Sequence, residues 1–224
     1  MIRKESPTDL FLIRHAEANK NLSGVHGGGD QRLTSKGINQ AKLLGNFISN
    51  QLNSGDELKL VHQPEQRSKN TAIHIGLVAI QDIVEVKELK GVSLGVAGGL
   101  TAKDLLEKYP EVAEALSAWR ENKGDLSARP RVPGSEPMEE FAERISYGLQ
   151  TSLEICESGQ KLGIVGTTST LNMLNHLLIN DGDFDREHYD FISYPLGSVS
   201  IWNVSTNPPV QMADIYLPSR VNGS

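Results

Sequence analysis

The first feature of this chain able to do chemistry is a histidine with an arginine beside it at the end of an apolar run. Residues 10–13 are all large and apolar, and Arg14, His15, Ala16 and Glu17 follow at once. A neutral imidazole nitrogen can attack phosphorus, while a guanidinium fork holds phosphoryl oxygens and neutralises developing charge. Further polar groups follow in order: Asn21, a glycine loop at 27–29 closed by Asp30, the run Leu33-Thr34-Ser35-Lys36-Gly37, and then Pro64, Arg67 and Thr71. The glycine loop is not a P-loop, because no Gly-Lys-Ser/Thr follows it.

These groups need elements to position them. Apolar runs bounded by turn residues predict strands at 10–13, 58–61, 83–86, 162–165, 199–204 and 210–216. Helical periodicity predicts helices at 35–52, 64–79, 102–108, 111–122, 138–156 and 170–179. Thr34 and Ser35 supply capping hydroxyls, and Pro64 suits a first helical turn. Strands alternating with helices imply an α/β chain whose mostly parallel sheet is covered on both faces. Such sheets bind ligands at the carboxyl ends of their strands, where Arg14 and His15 stand. Residues 1–224 read as a single domain. Residues 91–134, glycine-rich early and proline-rich late, interrupt the alternation and are expected to form a lid or specificity insertion.

Taken together, LFLIRHAEANKN, GGGDQRLTSKGINQA and PEQRSKNTA resemble the histidine phosphatase superfamily, the phosphoglycerate-mutase-like proteins, whose signatures read RHGETxxN, GxxDxxLTxxGxxQA and SSPLxRAxQTA. The resemblance continues through GVAGGLT, Tyr109-Pro110, Trp119, PGSEPMEEFAER and GIVGTTSTLNML, covering nearly the whole chain. It implies a three-layer αβα sandwich and phosphomonoester chemistry through a phosphohistidine on a phosphorylated small molecule. Carried over by position, His15 is the nucleophile, Arg14 and Arg67 hold the phosphate, and Asn21 lines the same pocket. No metal and no cofactor is expected, because two arginines can do the charge work of a cation.

Three departures from the family pattern bear on the chemistry. Thr167 stands where a second histidine ends a late strand, and it can donate one hydrogen bond but carry no positive charge. Loss of one such preorganised donor costs on the order of a hundred- to a thousand-fold in rate. Gly91 takes the place of the usual glutamate proton donor; Glu88, three residues earlier, is the candidate substitute. His62 and Gln63 replace the serine pair before the proline. His62 is then either a substitute donor or a buried histidine bonded to nearby backbone. His26 in the glycine loop could reach a substrate, and Glu136 matches a family glutamate or simply favours a helix start.

Bulk properties bound the partners. The chain of 224 residues carries 28 acidic and 22 basic side chains, a net charge of −6. That argues against a general grip on nucleic acid or an anionic membrane. No apolar run is long enough to span a bilayer or to form a signal segment, so a cytoplasmic location is expected. Cys156 is the only cysteine and is expected to be a buried, inert thiol. Two functions fit: a phosphatase with weak or specialised activity, or a catalytically silent relative that binds a phosphate ester or a partner protein. Oligomeric state is not written in the sequence.

Overall fold

The computed structural model describes residues 9–25, 32–79, 82–121, 130–157, 159–189 and 191–218. Among them runs a six-stranded sheet of order β3-β2-β4-β1-β5-β6. Its strands are β1 (Asp9–Arg14), β2 (Leu58–His62), β3 (Asp82–Glu85), β4 (Lys161–Gly166), β5 (Val199–Asn203) and β6 (Val210–Tyr216). The first four are parallel, while β5 pairs antiparallel with β1 and β6 antiparallel with β5. The sheet is therefore mostly parallel, with an antiparallel edge.

Helices cover both faces. On one side lie α2 (Ser35–Gln51) and α3 (Gln66–Ala79), on the other α6 (Met138–Ile155) and α7 (Thr168–Ile179). The period-two alternation of strands sorts the apolar residues into two cores. Leu10, Leu12, Val61, Leu162 and Ile164 pack with Phe141, Ile145, Leu171 and Leu174. Phe11, Ile13, Leu60 and Val165 pack with Leu44, Ile48, Ala72 and Ile75. This is the three-layer αβα sandwich. β1 is buried on both faces, which is why it reads as an unbroken apolar run rather than an alternating one.

The same alternation aims the first two polar residues apart. Arg14 continues the face of Leu12, toward Tyr194, and His15 leaves toward α3. At the opposite end of the sheet the buried ammonium of Lys161 lies between Asp9, at 2.7 Å, and Asp56, at 3.0 Å.

Predicted and observed elements agree in number and type, apart from the single-turn helix α1 (Asn19–Ser23) and two 3-10 turns, Lys87–Leu89 and Gly95–Ala97. Boundaries differ where caps decide them. Helix α3 starts after Pro64, not at it, because the Glu65 carbonyl accepts the first intrahelical bond, from Lys69 N–H at 3.1 Å. Helix α7 begins two residues before the predicted start: Thr167 is its N-cap, and the Thr167 carbonyl accepts from Leu171 N–H at 2.9 Å. Between Gly91 and Gly134 lie α4 (Ala102–Lys108) and α5 (Pro110–Glu121). They share a small apolar cluster, Ala97, Leu105, Leu116 and Val132, which Trp119 joins to the first core. A bridge from Val25 to Thr101 links this segment to the chain after α1.

Cys156 is buried, its thiol pushed up to about 11 chiefly by burial, which fits an inert side chain. Among the described residues no helix is long and apolar enough to cross a membrane.

Candidate active site

The carboxyl ends of β1, β2 and β4 lie side by side, with β4 in the middle. They deliver His15, the His62–Gln63 pair and Thr167 to one rim of the sheet. His15 is almost fully buried, at 3% exposure. Its Nδ1 lies 2.8 Å from the Ala16 carbonyl, which can only accept, so Nδ1 carries the proton and Nε2 the lone pair. Arg67 Nε donates to that Nε2 at 3.2 Å. Burial, then the charges of Arg67 and, more weakly, Arg14 and Lys20, pulls the His15 pKa down to about 3. The imidazole is thus held neutral, with an unprotonated Nε2.

The loop after β1 is fixed from below. Ala16 N–H donates to Thr71 Oγ1 at 3.0 Å, and that hydroxyl donates to the Arg67 carbonyl at 2.7 Å, tying the His15 loop to α3. Thr34 caps α2 by accepting from Gly37 N–H, and its hydroxyl donates to Glu17 Oε1 at 2.9 Å. A Cβ on Gly37 would fall 1.9 Å from the Glu17 carbonyl oxygen. Only glycine lets α2 come this close, which gives the Leu-Thr-x-x-Gly spacing its physical reason.

Arg14 donates through Nη1 to the Tyr194 carbonyl, and its Nε is buried with no hydrogen-bond partner among the described residues. Burial and the Arg67 charge lower its pKa, although a guanidinium stays cationic. Lys20 on α1 completes a cationic cluster that sequence reasoning did not single out. Its pKa drops to about 8 through burial and the Arg67 charge; Glu65 opposes the shift and Arg14 adds to it. Arg14, Arg67 and Lys20 repel one another, and such a cluster suits an anionic group.

Asn21 lies beside this cluster on α1, but its Oδ1 is engaged: it accepts from Ala18 N–H at 2.9 Å and caps the single turn. His62 is buried, and its Nδ1 donates to the Gln63 carbonyl at 2.8 Å, the same local arrangement as His15 with Ala16. Gln63 is the partner that reaches Thr167: its Oε1 accepts from Thr167 N–H at 2.9 Å and from the Thr170 hydroxyl at 3.0 Å. The Thr167 hydroxyl sits 3.1 Å from Ser169 Oγ and 3.2 Å from Thr170 Oγ1.

Glu88 falls in the first 3-10 turn, with its Cβ against Gly148 of α6. Its backbone carbonyl, like that of Lys90, accepts from Arg144, whose fork also grips Glu136 at 2.7 and 2.8 Å. Glu136 therefore braces the backbone leading to Gly91. That backbone meets a carboxylate the sequence reading passed over: Glu65 Oε1 accepts from Gly91 N–H at 3.2 Å. Glu65 occupies a position that the family signature fills with leucine, the one available signal. His26, the glycine loop and Asp30 lie outside the described residues.

Solved structures share this architecture. An alpha-ribazole phosphatase from Shigella flexneri superposes with a TM-score of 0.72 at 23% identity, covering 96% of this chain and 98% of that one. A phosphoserine phosphatase mutant from Entamoeba histolytica, in complex with phosphoserine, gives 0.69 at 18% identity, with 95% and 98% covered. The sequence pattern of the histidine phosphatase superfamily (branch 1) matches residues 10–210, and the chain belongs to that family. Among curated relatives, "Probable phosphoglycerate mutase GpmB" of Salmonella paratyphi C (strain RKS4594) is 27% identical over 156 residues, 68% of this chain and 66% of that protein. The 6-phosphofructo-2-kinase/fructose-2,6-bisphosphatase of Gallus gallus is 31% identical over 140 residues, 62% of this chain but only 27% of that protein.

Proposed function

We propose that this chain hydrolyses phosphomonoesters of small molecules through a phosphohistidine on His15. The carrying observation is the state of that imidazole: neutral, Nδ1–H fixed on the Ala16 carbonyl, Nε2 facing the Arg67 guanidinium. A phosphoryl group entering between them takes over the Arg67 donor. Nε2 then forms a bond to phosphorus as the ester P–O bond breaks, with its electron pair leaving on the alcohol oxygen. Arg14, Arg67 and Lys20 hold the non-bridging oxygens, with Asn21 and Thr167 at the margin. Residues 91–134 serve as lid and specificity element in this reading, supported by an apolar cluster of their own and by the Val25–Thr101 bridge.

The activity is weak or specialised. Thr167 offers no charge where the family pattern has a second histidine, which costs on the order of a hundred- to a thousand-fold. The engagement of its hydroxyl with Ser169 and Thr170 favours a second reading, a silent phosphate-ester binder. Incubation with an aryl phosphate, followed by mass spectrometry, separates the two. The first reading expects a phosphoryl adduct on His15. The second expects no adduct and no turnover, with phosphate-ester binding that disappears in Arg67→Ala.

A further inference from the structure

The family pattern puts a glutamate at position 91, and this chain has glycine there. The space a side chain would take is not empty. A Cβ on Gly91 would lie 3.3 Å from Glu65 Oε1, 3.1 Å from Thr167 Oγ1 and 3.6 Å from Ser169 Oγ. A carboxylate thus already stands where the missing side chain would begin, supplied from across the rim by the β2–α3 turn. Gly91 itself donates its N–H to Oε1, at 3.2 Å, and so orients that group.

The other oxygen is the informative one. Glu65 Oε2 is buried and has no hydrogen-bond partner among the described residues. Leaving a carboxylate oxygen buried and unpaired costs stability, and such a group calls for a reason. The carboxylate lies within electrostatic reach of the cationic cluster: Glu65 is the anion acting on Lys20, which also feels Arg67 and Arg14, and those three cations are the ones acting on His15. Glu65 also lies two residues before Arg67, so one turn carries both the phosphate clamp and the carboxylate. Glu88, the alternative, rests its Cβ on α6.

We infer that Glu65 is the general acid and base of this site, taking over from the absent side chain at position 91. The inference rests on the phosphatase reading above. In the first step protonated Glu65 gives its proton to the leaving alcohol oxygen as His15 Nε2 bonds to phosphorus and the ester bond breaks. In the second the Glu65 carboxylate takes a proton from water as the water oxygen bonds to phosphorus. The P–N bond then breaks, its electron pair returns to Nε2, and phosphate leaves with Glu65 protonated again.

The test compares 4-nitrophenyl phosphate, whose leaving group needs no proton, with ethyl phosphate, whose leaving group does. In Glu65→Gln, ethyl phosphate turnover is expected to fall about a hundred- to ten-thousand-fold. Labelling of His15 by the aryl ester should persist, and the adduct should decay more slowly. Glu65→Ala combined with Gly91→Glu returns a carboxylate to the same space from the other side. It is expected to recover ethyl phosphate turnover relative to Glu65→Ala alone. An unchanged ratio of the two substrates in Glu65→Gln overturns the assignment, as does no gain in the folded double variant. So does an alkyl-specific loss found in Glu88→Gln instead. If the unaltered chain forms no adduct with the aryl ester, the phosphatase reading itself fails and Glu65 with it.

Discussion

Lys20 gives the site a pH limb that can be worked out in advance. Its ammonium is held near a pKa of about 8 by burial and by Arg67 and Arg14, with Glu65 opposing them. In the free protein it is protonated in about nine-tenths of molecules at pH 7 and about one-tenth at pH 9. Phosphate monoesters have a second pKa of about 6, so the substrate stays dianionic across this range and adds no limb of its own. The arginines stay charged and His15 stays neutral. If the charged lysine binds a phosphoryl oxygen, kcat/KM for an aryl phosphate, which reports the free protein, should fall about tenfold from pH 7 to 9. A charge-assisted hydrogen bond contributes about 1.5–3 kcal/mol, so Lys20→Met should lose about 10- to 150-fold at pH 7. Above pH 7 its profile should be flat. The assay is a kcat/KM profile at constant ionic strength, because surface charge effects vary with salt. A flat profile in the unaltered chain, or a Lys20→Met variant that keeps the alkaline limb, would refute the reasoning.

Two further outcomes are expected. Gly37→Ala should destabilise by about 1–3 kcal/mol, lowering Tm by several degrees, because its Cβ would meet the Glu17 carbonyl oxygen at 1.9 Å. Helix propensity alone predicts the opposite sign, so thermal unfolding decides between the two. His15→Gln should flatten the acid loss of stability. Between pH 6.5 and about 3 the unfolded chain binds a proton that native His15 refuses. That removes up to about 1.4 kcal/mol per pH unit as pH falls, and none above 6.5. Denaturant titrations with an unchanged slope in the variant would contradict the buried, neutral histidine.

Most of the scaffold was legible because its signals are local. The apolar run of β1, the Thr34 cap and the periodicities of α2, α3 and α6 each declare themselves within a few residues, and the observed elements follow them. The meeting of His15 and Arg67 follows the motif spacing, and the two side chains lie 3.2 Å apart. What escaped depends on groups that meet only after folding. Lys20 sits on a single helical turn, too short to show a period. Gln63 replaces the second serine of the family's pair, and it, rather than His62, is the side chain that reaches the turn at Thr167. Glu65 attracts no notice in the sequence until Gly91, twenty-six positions later, is brought against it. The antiparallel pairing of β5 and β6 was likewise beyond a reading that could place strands but not order them.

The clamp of Lys161 on Asp9 and Asp56 has a mechanical consequence. Parallel strands work as rulers: at about 3.3 Å per residue, a two-residue slip of β1 would carry its end about 7 Å along the sheet. Arg67 stands only 3.2 Å from the His15 nitrogen. The far end of the sheet therefore acts as the zero mark from which His15 is measured. A lysine about 20 Å from the chemistry, one strand length away, helps set the tolerance to which the site is built.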